Sequence, residues 1–157
     1  MFYVLCFMFK VLEPQICFQE VPNEVALGFI CTGCPLKCRG CHSVDTWDPK
    51  QGEDLTKAHF EAWIARYRRL ITCIVFFGGE WQERCLISYL KIAKQQGLAT
   101  CLYTGLDDVS HSLKAELTYL KTGPYIPEYG GLASRTTNQK YIEVASGRLL
   151  NSLFLKG

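Results

Sequence analysis

The chain has 157 residues, 48% hydrophobic and 20% charged, with 13 Gly, 6 Pro and 9 Cys. This is the composition of a soluble globular protein with one domain, expected over residues 1–157, and the length excludes a complete eight-fold β/α barrel, which takes about 250 residues. Lys and Arg outnumber Asp and Glu by 17 to 15, a formal charge of +2 with no basic stripe, which speaks against nucleic acid as a partner. The apolar opening from Met1 to Phe9 is far shorter than the roughly 20 residues of a membrane span, and no basic segment precedes it as in a signal peptide. A cytoplasmic protein with no membrane partner is expected.

Tyr3 to Val11 and Val25 to Ile30 are rich in Val, Ile, Phe and Leu and predict strands separated by the Pro22-Asn23 break. From Cys31 to Gly52 the chain carries Gly33, Pro35, Gly40, Pro49 and Gly52 with no sustained period, the pattern of a long irregular loop, and loops of that length are usually functional. Asp54 or Thr56 then caps a helix on which Phe60, Trp63, Ile64 and Tyr67 recur at helical spacing. Thr72 to Phe77 is an uninterrupted β-prone run ending at Gly78-Gly79, a strand buried on both faces. Gln82 to Gln96 predicts a second helix, with Leu86, Tyr89, Leu90 and Ala93 on one stripe and Gly97 as its stop.

Leu98 to Tyr103 predicts another strand, and Asp107 to Tyr119 a further amphipathic helical segment capped by Asp107 or Asp108. Beyond Leu120, Gly123-Pro124, Pro127 and Gly130-Gly131 make turns, and Tyr141 to Val144 and Leu149 to Phe154 flank Ser146-Gly147 as a hairpin expected to cover one end of the sheet. Strands alternating with helical segments are the signature of β/α units. The expected fold class is therefore α/β, an open partial β/α barrel with a mostly parallel sheet. No repeat, low-complexity tract or linker marks a second domain.

Nine cysteines, an odd number in a chain without an export signal, point to metal or redox chemistry rather than a disulfide framework. Cys6, Cys17, Cys73, Cys85 and Cys101 are scattered, and the last three fall in strand or helix patterns, so a second metal cluster is not expected. Cys31, Cys34, Cys38 and Cys41 lie together in the loop. Three readings compete for them. A tetrahedral zinc site would use all four, but paired C-x2-C motifs in such sites usually stand about 12 to 20 residues apart, and here the pairs nearly touch. An electron-transfer cluster would also use all four, but a ferredoxin run has the order C-x2-C-x2-C-x3-C-P, and this chain has C-x2-C-x3-C-x2-C. The third reading uses Cys34, Cys38 and Cys41 alone, leaving one iron of a cubane open to a small molecule, as open positions distinguish catalytic metal sites. Cys31 is then a buried small hydrophobe at a strand end.

The C-x3-C-x2-C loop of Cys34, Cys38 and Cys41 resembles the radical S-adenosylmethionine superfamily, and Phe76-Phe77-Gly78-Gly79-Glu80 resembles the Gly-Gly-Glu segment of that superfamily. Gly33-Cys34-Pro35, the Cys38-Arg39-Gly40-Cys41 ending, Thr46-Trp47, Tyr103-Thr104-Gly105 and Thr137-Asn138-Gln139 are similar to the family of activating proteins of anaerobic ribonucleoside-triphosphate reductase. Trp81 follows the Gly-Gly-Glu where related glycyl-radical activases often have Pro.

The resemblance implies a single radical S-adenosylmethionine domain with a 4Fe-4S cluster on Cys34, Cys38 and Cys41. It also implies S-adenosylmethionine chelated to the open iron, with Gly78, Gly79 and Glu80 binding its amino group. Reductive cleavage would then give methionine and a 5'-deoxyadenosyl radical, with the chemistry residing in the cofactors. The implied protein substrate is the anaerobic ribonucleoside-triphosphate reductase, on which a glycyl radical is stored, and the implied electron donor is flavodoxin- or ferredoxin-like. The rival functions are a small radical enzyme of the 7-carboxy-7-deazaguanine synthase or formate-lyase activase type, and a non-catalytic electron carrier.

Other residues receive no role. Lys37 and Arg39 suit a solvated loop, His42 adjoins Cys41, and His59 and His111 fall on helix surfaces. Trp47 and Trp63 read as core, and Asn138 and Gln139 fit a polar turn as well as a ligand contact.

Overall fold

Seven short β-prone runs pair into one mixed sheet of order β2-β3-β5-β6-β7-β8-β9 in the computed structural model, which describes residues 9–33, 48 and 50–155. Strands β3 (Ala26–Ile30), β5 (Cys73–Phe77), β6 (Ala99–Tyr103) and β7 (Tyr119–Thr122) are parallel neighbours. Strand β2 (Gln15–Cys17) lies antiparallel on β3, and β8 (Lys140–Glu143) and β9 (Arg148–Leu149) continue antiparallel beyond β7. The sheet is thus parallel at its centre and antiparallel at both edges, where the chain reverses without a crossover helix. Strand β1 (Lys10–Val11) pairs with β4 (Glu53–Asp54) and is joined to the main sheet by a bridge from Val11 to Cys31 at the end of β3.

Helix α1 (Lys57–Tyr67) starts at Thr56, whose hydroxyl accepts the His59 N–H at 3.0 Å, so Thr56 rather than Asp54 is the cap. Helix α2 (Glu83–Gln95) follows a 3-10 turn over Glu80–Gln82 and stops before Gly97, whose φ is +79°. The segment expected as a helix from Asp107 to Tyr119 behaves differently. Helix α3 (His111–Lys114) is one turn, capped by the Ser110 hydroxyl rather than by Asp107 or Asp108, and Tyr119 already belongs to β7. Pairing decides this: β6 presents an open parallel edge, and Cys101, Leu102 and Tyr103 take Tyr119, Leu120 and Lys121 as partners.

Alternation along the central strands sorts their side chains onto two cores. Leu27, Phe29, Ile74, Phe76, Leu102 and Leu120 meet Phe60 and Ile64 of α1 and Leu86, Tyr89 and Leu90 of α2. Cys73, Val75, Cys101 and Tyr141 face the other way, covered by Val21, Leu132, Leu150 and Phe154. Phe76 is fully buried, and its ring centroid lies 5.4 Å from Phe29, 5.9 Å from Phe60, and 6.1 Å from both Phe9 and Tyr89. Phe76→Ala is expected to cost about 3–5 kcal/mol, read from the denaturant midpoint, because the four surrounding rings cannot collapse into the space it leaves.

The tail departs from a plain hairpin. After β9 the chain forms a 3-10 turn over Asn151–Phe154 instead of extending the strand. The Asn151 side chain substitutes for a strand neighbour: its Oδ1 accepts from Tyr141 N at 2.7 Å and its Nδ2 donates to the Gln139 carbonyl at 2.8 Å. The tail thereby extends the sheet edge and covers a face, rather than an end. Among the described residues no helix is long and apolar enough to cross a membrane.

Candidate functional site

The four parallel strands end on one edge, and the turns that follow them are laced together there. Cys31 N donates to the Phe77 carbonyl at 3.0 Å, Gly78 N to the Tyr103 carbonyl at 2.9 Å, and Thr104 N to the Lys121 carbonyl at 2.9 Å. Each turn therefore begins by extending the ladder of its neighbour by one bond. In open α/β sheets such edges present ligands to loops.

Beyond β3 the chain passes through Cys31, Thr32 and Gly33 into the cysteine loop. Thr32 N donates to the Lys10 carbonyl at 3.0 Å, and the Thr32 hydroxyl to the Gln51 carbonyl at 2.9 Å, so the start and the end of that loop are tied to each other. Cys34, Lys37, Cys38, Arg39, Cys41, His42, Thr46 and Trp47 lie outside the described residues. Among the described residues no group of three or more His, Cys, Asp or Glu side chains is placed to hold a metal ion. Cys31 is 1% exposed, and burial, followed by the charge of Glu80, pushes its thiol well above the ordinary range. It packs as a neutral apolar side chain.

Gly78 and Gly79 have φ of +90° and +100°, a double left-handed turn closed to residues with a side chain. A Cβ on Gly78 would lie 2.6 Å from the Trp81 ring, and one on Gly79 3.1 Å from Cys31 Sγ. Trp81 thus stacks over the turn, and the turn presses on the residue that leads into the cysteine loop.

One oxygen of the Glu80 carboxylate is held by a side chain: Oε1 accepts from the Thr104 hydroxyl at 2.8 Å. The Thr104 oxygen itself accepts from Leu106 N at 3.1 Å, and an amide can only donate, so the hydroxyl proton is directed at Glu80. Glu80 Oε2 is buried and has no hydrogen-bond partner among the described residues. Burial raises the carboxyl above its ordinary range, offset by a backbone hydrogen bond, by Thr104 and by the charge of Lys121. A half-satisfied buried carboxylate is costly until a donor arrives, and an ammonium group fits that vacancy in charge and in hydrogen-bonding capacity. Beside it opens a cleft of about 360 Å³ between Glu83, Leu106, Asp108 and Ser110.

Two elements of this edge were not singled out in the sequence as site residues. Lys121, 8% exposed at the end of β7, donates to the carbonyls of Thr104 at 3.2 Å and Gly123 at 2.9 Å. The only sequence signal was a lysine inside a β-prone run just before Gly123-Pro124. Thr104 lies in the Tyr103-Thr104-Gly105 motif and gains its role from the contact with Glu80. Asn138 and Gln139, expected at a polar turn, also reach this edge: Asn138 Nδ2 donates to the Pro124 carbonyl at 3.0 Å, and Gln139 Nε2 to the Gly123 carbonyl at 3.3 Å. His59 and His111 are exposed on their helices, as expected.

Comparison with known proteins agrees with the chemistry expected of the loop. Residues 25–121, more than half of the chain, match the 4Fe-4S single cluster domain. A stretch of 78 residues, 46% of the chain, is 36% identical to the pyruvate formate-lyase-activating enzyme of Clostridium pasteurianum and covers 33% of it. A stretch of equal length is 30% identical to the pyruvate formate-lyase 1-activating enzyme of Escherichia coli strain K12 and covers 32% of it. The matched part thus spans about a third of the length of these curated relatives. Together the match and the relatives support the two expected cofactors, a 4Fe-4S cluster and S-adenosylmethionine. By the match across its central strands and the cysteine loop, the chain belongs to the 4Fe-4S single cluster domain family.

Proposed function

We propose that this protein is a radical S-adenosylmethionine activase that installs a glycyl radical on a partner enzyme. The observation that carries the reading is the Gly78-Gly79-Glu80 turn, which packs on Cys31 at the start of the cysteine loop and offers a buried carboxylate oxygen without a donor among the described residues. In this reading Cys34, Cys38 and Cys41 hold the 4Fe-4S cluster, leaving one iron open. The cluster, when bound, supplies the electron for reductive cleavage of the sulfonium. Glu80 Oε2 accepts from the methionyl amino group, the two glycines let backbone approach the ligand closely, and Trp81 and Cys31 keep water from the turn. The central sheet is read as the described part of an open β/α barrel whose lateral face admits a peptide loop.

The proposed protein substrate is an anaerobic ribonucleoside-triphosphate reductase, with a flavodoxin- or ferredoxin-like donor in the cytoplasm. This is supported by Thr137-Asn138-Gln139, which resembles the tail of that activase family and joins the edge that carries Glu80. A second reading, a pyruvate formate-lyase as the partner, is favoured by the similarity to enzymes that activate such lyases. The test is anaerobic reconstitution with iron and sulfide, addition of dithionite and S-adenosylmethionine, and assay of 5'-deoxyadenosine. Mixing with each partner and recording the electron paramagnetic resonance spectrum follows. A glycyl doublet on the reductase is expected, a doublet on the lyase alone selects the second reading, and no 5'-deoxyadenosine removes the activase.

A further inference from the structure

Lys121 is a buried cation near the end of β7, a strand inside the seven-stranded sheet. A lysine in that position normally gains by reaching water, and this one instead donates to two backbone carbonyls, Thr104 at 3.2 Å and Gly123 at 2.9 Å, with its ammonium 6.0 Å from the centroid of the Tyr103 ring. Those carbonyls belong to the turns after β6 and β7. The Gly123 carbonyl also accepts from Gln139 Nε2 at 3.3 Å, so the tail is fastened at the same point. Thr104 is therefore held at both ends of its residue: its carbonyl by Lys121, its hydroxyl oxygen by Leu106 N, with the hydroxyl proton left for Glu80.

We propose that Lys121 is a positioning residue for the ligand-binding carboxylate: it fixes Thr104, and through it Glu80, and supplies the buried positive charge that faces Glu80. The inference rests on the reading of Glu80 as the acceptor for the S-adenosylmethionine amino group. Among the described residues, four charged or titratable groups share the surroundings of Glu80. Lys121 comes from β7, Cys31 from the end of β3, Glu83 from α2, and Asp108 from the segment before α3. Glu83 is bonded by the Ser110 hydroxyl, and Asp108 by Lys114 at 2.7 Å, an interaction that holds its carboxyl below the usual range. Cys31 is a neutral thiol. Lys121 is thus the one cation among these four, and without it Glu80 ionises only at higher pH.

The experiment measures equilibrium binding of S-adenosylmethionine to the cluster-reconstituted protein without reductant, so that no turnover occurs, from about pH 5.5 to about pH 8.5. Lys121→Met is expected to bind about tenfold more weakly near pH 6, with the gap closing towards the alkaline end as Glu80 ionises, and Lys121→Arg to stay within about threefold throughout. A Lys121→Met protein with the unaltered profile, or with the same loss at every pH, overturns the proposal, because a merely structural lysine would act in one of those two ways. If Lys121→Met does not fold, Thr104→Val decides: a pH-dependent loss supports the chain of contacts and a flat or unaltered profile overturns it. Glu80→Gln separates the two levels. If it binds as tightly as the unaltered protein, the reading of Glu80 fails and this inference with it; if it loses binding while Lys121→Met does not, only the positioning role is overturned.

Discussion

Replacing Cys34, Cys38 or Cys41 singly by Ala is expected to abolish the 4Fe-4S cluster, whereas Cys31→Ala keeps it. Iron is bound by thiolates, and a cubane with three protein ligands has none in reserve. Cys31 is the nearest alternative, only three residues before Cys34, yet it is 1% exposed and packed against Gly79, and burial followed by the charge of Glu80 holds its sulfur in the thiol form. Becoming a ligand would require it to leave the core and the end of β3 to unpair. Cys31→Ala removes only a buried sulfur, a change of about 1–2 kcal/mol in stability. Iron and sulfide content of the anaerobically reconstituted variants checks this. Loss of the cluster in Cys31→Ala as well, together with a spectrum indifferent to S-adenosylmethionine, would instead indicate a fully ligated electron carrier.

Glu80→Gln is expected to weaken S-adenosylmethionine binding by roughly 10- to 100-fold, since a hydrogen bond between charged groups contributes about 1.5–3 kcal/mol. The glutamine keeps the contact with Thr104 and loses the charge. Its effect on the ligand-free protein runs the other way. Glu80 titrates above its ordinary range because burial disfavours the carboxylate. Its contribution to stability is therefore complete below the ordinary carboxyl pKa and is lost as pH rises through the raised value. Glu80→Gln removes that dependence, so at neutral pH the ligand-free variant is expected to be at least as stable as the unaltered protein. Thermal unfolding at several pH values, beside equilibrium binding of S-adenosylmethionine, measures both effects. A variant that gains stability while losing the ligand identifies a carboxylate retained for binding; a variant that loses stability at every pH would make Glu80 a structural residue.

What could be read along the chain and what could not divides by the range of the interactions. Thr72 to Phe77 and Gln82 to Gln96 were legible because their signals are local: a β-prone run closed by two glycines, and an apolar stripe closed by one. The same logic failed from Asp107 to Tyr119, where a helical period was present but the edge of β6 claimed Tyr119 to Lys121 for a strand. Gln15–Cys17 carried too short a run to announce itself, and exists as a strand because β3 offers it a partner. Asn151 ended the expected second arm of the hairpin because its side chain could pair with the backbone of β8.

The site divides in the same way. In the proposed reading Cys34, Cys38 and Cys41 are legible by their spacing, since three thiolates in one loop need no other element to converge, and Gly78-Gly79-Glu80 announces a tight turn by composition. The contact between Glu80 and Thr104, 24 residues apart, and the bond from Lys121 to the Thr104 carbonyl leave no local trace. The sequence by itself carried the cysteine motif of the loop, the central alternation of strands and helices, and the match to the cluster family. Only the tertiary structure decided which carboxylate oxygen is left without a donor among the described residues and which lysine is linked to it through Thr104, because those properties arise when separate strands end on one edge and burial removes the water that would otherwise satisfy each group alone.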